Sequence, residues 1–316
     1  MRLTTGFSGA MLGAALCGPL LGSEPPLDPG EAAGSEIVRA DRDRHQRMTV
    51  PVTINGAGPF RFLVDTGAQA TVVTARVTEA LGLVPSGQAT LVAMASRSQV
   101  ETIVLDGLEF AGRRFSNLTA PLLRDRDIGA DGIIELDSPQ DLRVIIDFRA
   151  DSLTVSDAPV GAGGYEIVVR ARRKLGQMII TDARIDGVRT AVIIDTGSWH
   201  SHGNMALKRR LRARQSDSMI STDVAGVSLE SGIALVRDLR IGALGLRDLP
   251  VGFSDSPAFE ALGLARTPAL ILGIGNLRPF DRVAIDFATR RVLFDVPRGR
   301  GRDPFDGWRA PAATGR

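Results

Sequence analysis

Two stretches of the chain carry the same alternation of apolar and polar positions. Val50-Pro51-Val52-Thr53-Ile54 leads through Asn55-Gly56 into the apolar Phe60-Arg61-Phe62-Leu63-Val64. Ile179-Ile180-Thr181-Asp182-Ala183-Arg184-Ile185 leads in the same way through Asp186-Gly187 into Ala191-Val192-Ile193-Ile194. Asn-Gly and Asp-Gly supply the positive φ that a tight hairpin turn needs, so each stretch predicts a β-hairpin. The second strand of each hairpin runs directly into Asp-Thr-Gly, at Asp65-Thr66-Gly67 and at Asp195-Thr196-Gly197.

The likeness continues downstream and makes the chain an internal repeat. Ile133-Ile134-Glu135 in the first unit answers to Ile271-Leu272-Gly273 in the second, and Leu142–Phe148 answers to Arg282–Phe287. Asp147 follows Asp65 by 82 residues, and Asp286 follows Asp195 by 91. Short apolar alternations at 89–95, 101–105 and 116–122, broken by Gly, Asp, Asn and Pro, predict further strands. Helices are expected to be few and short: 74–81, ending before Gly82; 204–213, capped by Asn204; and one opened by Ser256-Pro257 and closed near Gly263. The expected architecture is all-β and bilobal, with two pseudo-twofold-related, barrel-like lobes at 48–155 and 165–297. A Gly- and Pro-rich linker at 156–164 joins them, and an Arg-, Gly- and Pro-rich tail follows at 298–316.

The N-terminus has a different character. Arg2 precedes an uncharged stretch to Ser23 whose apolar centre, Met11–Leu21, is too short to span a bilayer as a helix. It suits a signal peptide at 1–23, which predicts export, most simply to a periplasm, with lipid anchoring at Cys17 as the alternative. Residues 24–47 read as a lead-in linker. Cys17 is the one cysteine, so the body of the protein has neither a disulfide nor a cysteine nucleophile. The 38 basic and 36 acidic residues leave a net charge of +2, too little for binding that rests on phosphate neutralisation, and no nucleic-acid partner is expected.

One Asp-Thr-Gly is an ordinary turn, but two copies at equivalent points of a repeat are chemistry. A pseudo-twofold axis can bring two carboxyls face to face, where both cannot stay ionised, so they share a proton. The ionised member takes a proton from a water while the other hydrogen-bonds to a carbonyl oxygen, which needs neither metal nor cofactor. On Val64-Asp65-Thr66-Gly67-Ala68, Ile194-Asp195-Thr196-Gly197-Ser198, Gly132–Glu135 and Ile271–Gly273, the chain resembles the pepsin and retropepsin family of aspartic peptidases. The resemblance implies a catalytic dyad of Asp65 and Asp195. It implies a hydroxyl lattice of Thr66 and Thr196 beneath the dyad, with Gly67, Ala68, Gly197 and Ser198 supporting the active-site loops. It further implies an aspartic endopeptidase acting on extended polypeptide, with no metal. Both motifs lie on one chain, so a monomer suffices.

The sequence also departs from the family pattern. Glu135 stands where Gly is usual, and this motivates the alternative of a catalytically impaired, peptide-binding protein that retains the fold. By position the flaps are 91–103 and 224–235, without the flap tyrosine of pepsins. In the family a Ser at this position can bond the carboxylate and an Ala cannot, so the resemblance implies such a bond for Ser198 and none for Ala68, a mixture that suggests a working pH between strongly acidic and neutral. Trp199-His200-Ser201-His202 reads as a polar loop rather than a zinc site, because no third ligand stands at a familiar spacing. The basic run from Lys208 to Arg214 reads as a solvated helix face.

Overall fold

A computed structural model describes residues 35–43, 46–135, 142–157, 165, 167–174, 177–212 and 217–297. The signal-peptide reading, the first part of the lead-in, most of the interlobe linker and the tail lie outside these residues. The described chain is dominated by strands in three sheets, with four short helices and one 3₁₀ turn.

Both expected hairpins form. Asn55 and Gly56 take φ of 50° and 77°, and Asp186 and Gly187 take 43° and 84°. The first turn joins the strands Met48–Ile54 and Ala57–Asp65, the second Gln177–Ile185 and Val188–Asp195. In each unit the motif strand then acquires a parallel neighbour. Phe62–Asp65 pairs with Gly132–Glu135, and Ala191–Asp195 with Ala269–Gly273. Strands covered on both faces read as continuous apolar runs. That explains why Phe62, Leu63 and Val64 are all fully buried, as are Val192, Ile193 and Ile194. Such burial contributes about 1.5–3 kcal/mol per large aliphatic side chain.

The third sheet belongs to both halves. Its order is Ser35–Arg39, Ser152–Ser156, Arg143–Asp147, Arg282–Asp286, Arg291–Asp295 and Ile167–Arg170, all antiparallel. The two landmark segments matched in sequence are therefore hydrogen-bonded neighbours. Arg143 faces Asp286 and Asp147 faces Arg282, so the pseudo-twofold axis passes through the central pair, Ile145 and Ala284. The later part of the lead-in is structured too: Ser35–Arg39 forms an edge of this sheet, and Asp41–Arg42 pairs with Met48–Thr49.

The helices are Ala75–Leu81, Asp125–Ile128, Met205–Leu211 and Pro257–Ala261. Asn204 caps the third by accepting from the Leu207 amide at 2.8 Å, and Ser256 caps the fourth. Asp125–Ile128 was not expected, because a single turn leaves no periodic signal.

Candidate active site

Asp65 and Asp195 each end a motif strand, half-buried, with an Asx turn beneath the carboxyl. The Gly67 amide donates to Asp65 Oδ1 at 2.7 Å, and the Gly197 and Ser198 amides donate to Asp195 Oδ1 at 2.8 and 3.1 Å. The two glycines let the loops close on each other. A Cβ at Gly67 would sit 3.0 Å from Asp195 Cγ, and one at Gly197 would overlap Asp65 Oδ2. Each loop therefore packs against the carboxyl of the other lobe.

The threonines bind the turns together. The Thr66 hydroxyl donates to the Ile194 carbonyl at 2.9 Å and the Thr196 hydroxyl to the Val64 carbonyl at 2.8 Å. Both side chains are buried. The second loop is further pinned where the Ile274 and Gly275 amides donate to the Ser198 and Trp199 carbonyls.

The two carboxyls face each other across the loops, where a Cβ at Gly67 would lie 3.0 Å from Asp195 Cγ and 3.2 Å from Asp65 Oδ1, and burial raises both above the ordinary carboxylate range. For Asp65 the Gly67 amide, the neighbouring Asp195 side chain, the charge of Arg47 and the Ala68 amide all act against that rise. For Asp195 the negative charge of Asp65 adds to it, and the Gly197 and Ser198 amides oppose it. Two carboxyls this close titrate as a unit.

Arg47 escaped the sequence reading, which left it at the end of a linker. It is buried, donates from Nε to Asp43 Oδ2 at 2.8 Å, and reaches the Gly197 carbonyl at 3.3 Å and the Ile128 carbonyl with its other nitrogen. One guanidinium therefore touches the Asp195 loop of the second lobe and a helix end of the first. The one hint in the sequence is the i,i+4 spacing of Asp43 and Arg47.

Several other residues are now placed. Glu135 is the strand partner of Asp65 as Gly273 is of Asp195. Its amide donates to Thr71 Oγ1 at 3.3 Å, just as the Gly273 amide donates to Ser201 Oγ at 3.1 Å. The backbone role of the position survives the change of side chain. The expectation for Ser198 is corrected: its hydroxyl donates to the His200 carbonyl at 2.9 Å, and only its amide reaches Asp195. His202 is buried in the strand Ser201–Gly203, which lowers its pKa to about 4, so it stands neutral. Among the described residues no group of three or more His, Cys, Asp or Glu is arranged to hold a metal. Trp199 packs against the core beneath the Arg278 guanidinium, 5.5 Å from its ring centre. Arg209, Arg210 and Arg212 are exposed on and just after the third helix, and Arg214 lies outside the described residues.

Residues 50–137 match the family model described as aspartyl protease. That stretch contains Asp65-Thr66-Gly67 and Gly132–Glu135, on which the family resemblance was read. No curated protein matches the chain. Among solved structures it is similar to a retropepsin-like aspartic protease from Rickettsia conorii, at 15% identity and a TM-score of 0.29, over 41% of this chain and 90% of that one. It is also similar to an aspartic proteinase from Irpex lacteus, at 13% identity and a TM-score of 0.42, over 84% and 98%. A third likeness is to basic 7S globulin from soybean, at 11% identity and a TM-score of 0.42, over 84% and 97%. Among the described residues no helix is long and apolar enough to cross a membrane.

Proposed function

We propose that this chain, whose residues 50–137 match the aspartyl protease family, is an endopeptidase that hydrolyses polypeptide through a water held between Asp65 and Asp195. The observation that carries the reading is the closure of the two loops on each other: the glycine of each packs on the carboxyl of the other lobe, and the Thr66 and Thr196 hydroxyls bond across beneath them. Asp65, ionised, takes a proton from the water. Asp195, protonated, donates to the carbonyl oxygen of the scissile bond as the water oxygen attacks the carbon. The tetrahedral diol then collapses as its C–N bond breaks. The proton held by Asp65 passes to the leaving nitrogen, and Asp195 regains its own from the second hydroxyl. Thr66, Thr196, Gly67 and Gly197 hold the carboxyls in place, with Ala68 and Ser198 contributing backbone amides.

The reading takes the chain as two lobes, 48–155 and 165–297, acting as a monomer because each lobe brings one aspartate. The apolar run Met11–Leu21 supports export. A second reading, a peptide-binding protein without turnover, is favoured by Glu135 at the strand position that Gly273 holds in the other lobe.

Digestion of a diverse peptide library, read by mass spectrometry, decides between them. The wild type should cleave, pepstatin should stop it, and Asp65→Asn or Asp195→Asn should lower turnover by about 10³-fold, the scale for loss of a general acid–base group. Normal turnover by both variants would refute the dyad. Peptide binding without cleavage across acidic to neutral pH would establish the second reading.

A further inference from the structure

Two hairpins outside the dyad each reach the opposite lobe. The first joins Gly87–Val92 to Arg97–Leu105, and the second joins Asp217–Thr222 to Ser228–Ile241. They enclose the segments that the sequence placed as flaps. Ile193 precedes Asp195 by two residues on one strand, so both side chains lie on the same face, and the same holds for Leu63 and Asp65. Met94, at the tip of the first hairpin, packs on the second-lobe cluster containing Ile179, Ile193, Phe259 and Ile271. Val224, at the tip of the second, packs on the first-lobe cluster containing Leu63, Leu123, Ile128 and Ile133. The tips therefore cross over to apolar walls that flank the two aspartates.

A single carboxylate joins the tips. Asp223 is buried. Its Oδ1 accepts from the Ala225 and Val227 amides of its own turn, each at 3.0 Å. Its Oδ2 accepts from the Ala95 amide at 3.1 Å and the Ser96 hydroxyl at 2.7 Å, both in the other hairpin. Beside it, Arg124 donates to the Ala225 carbonyl at 3.0 Å while paired with Asp127. This arrangement is one-sided, because Ala93 stands where the repeat would place a second aspartate.

We propose that Asp223 is a positioning residue that latches the two hairpins together over the dyad, so that polypeptide is held between the dyad and the joined tips. Both oxygens are used twice, so the latch needs a carboxylate. An asparagine has one oxygen, and its NH₂ must face either the two donors of the first hairpin or the two of its own turn. The kinetic part of the proposal rests on the peptidase reading, whereas the latch itself does not.

The test is hydrogen exchange, followed by mass spectrometry, on wild type, Asp223→Asn and Ser96→Ala, combined with steady-state kinetics on a library peptide. The peptide spanning Ala95 should exchange about 10- to 100-fold faster in Asp223→Asn, the range for losing charge-assisted hydrogen bonds. In Ser96→Ala, which leaves the buried carboxylate in place and spares the fold, the increase should be several-fold. KM should rise several-fold more than kcat falls, because loosened tips hold substrate less well. Unchanged protection at Ala95 in both variants overturns the latch, whether or not the chain cleaves peptide. Lost protection with unchanged KM overturns the positioning role. A wild type that cleaves nothing refutes the peptidase reading, and the exchange result still decides the latch.

Discussion

The amide of Thr66 donates to the hydroxyl of Thr196 at 3.1 Å, and the amide of Thr196 donates to the hydroxyl of Thr66 at 3.2 Å. Each hydroxyl passes its own proton to a strand carbonyl of the opposite lobe, so the two loops form one closed ring of four hydrogen bonds. Removing one hydroxyl orphans a buried amide and a buried carbonyl. Thr196→Val should therefore cost about 2–6 kcal/mol, from about 1–3 kcal/mol for each group left unpaired. Thr196→Ser should recover most of the loss, as read by urea denaturation.

The close approach of the loops gives a second expectation. A methyl at residue 197 would meet the Asp65 carboxyl, so Gly197→Ala should displace that carboxyl and remove peptide hydrolysis. Gly187→Ala, at a turn with nothing within 4 Å of its Cβ, should strain the backbone and lower stability but leave turnover intact. Circular dichroism melts and the library assay together separate the two effects.

Much of this could be read in the sequence, and for a physical reason. Asp65 and Asp195 end strands whose burial on both faces demands unbroken apolar runs, and hairpin turns with positive φ mark where those strands begin. Such signals are local. Arg47 and Asp223 escaped because their partners are remote: Gly197 lies 150 residues from Arg47, and Ala95 lies 128 from Asp223. Nor does matching Leu142–Phe148 to Arg282–Phe287 reveal that the two segments pair with each other. Periodicity identifies a strand without naming its neighbour.

Arg47 should matter to stability and to pH dependence in different ways. Arg47→Met removes one half of the buried Asp43–Arg47 ion pair, at a cost of about 3–5 kcal/mol. Pairing it with Asp43→Asn should restore part of that. The charge of Arg47 favours the ionised form of Asp65. Without it Asp65 keeps its proton to higher pH, and the acid limb of kcat/KM should move upward in the double variant.

Stability should carry the signature of the dyad even without substrate. The folded-state pKa of Asp195 is raised by burial and by the charge of Asp65. A raised acid is stabilising in its protonated form, and that contribution is lost as pH rises through the folded pKa. At neutral pH the folded Asp195 still holds a proton that the unfolded chain gives up; Asp195→Asn removes that cost and should raise Tm by roughly 2–4 °C, the shift expected for about 1 kcal/mol in a large domain. Below the ordinary carboxylate range both proteins are neutral there, and the difference should vanish. Calorimetry across pH checks the sign.

The most direct test is a ¹³C NMR titration of the two carboxyl carbons, assigned with Asp65→Asn and Asp195→Asn. The pair should ionise in two separated steps, with one proton held across a wide interval and the second step well above the ordinary value of about 3.9. Two independent ionisations near that ordinary value would contradict a shared proton.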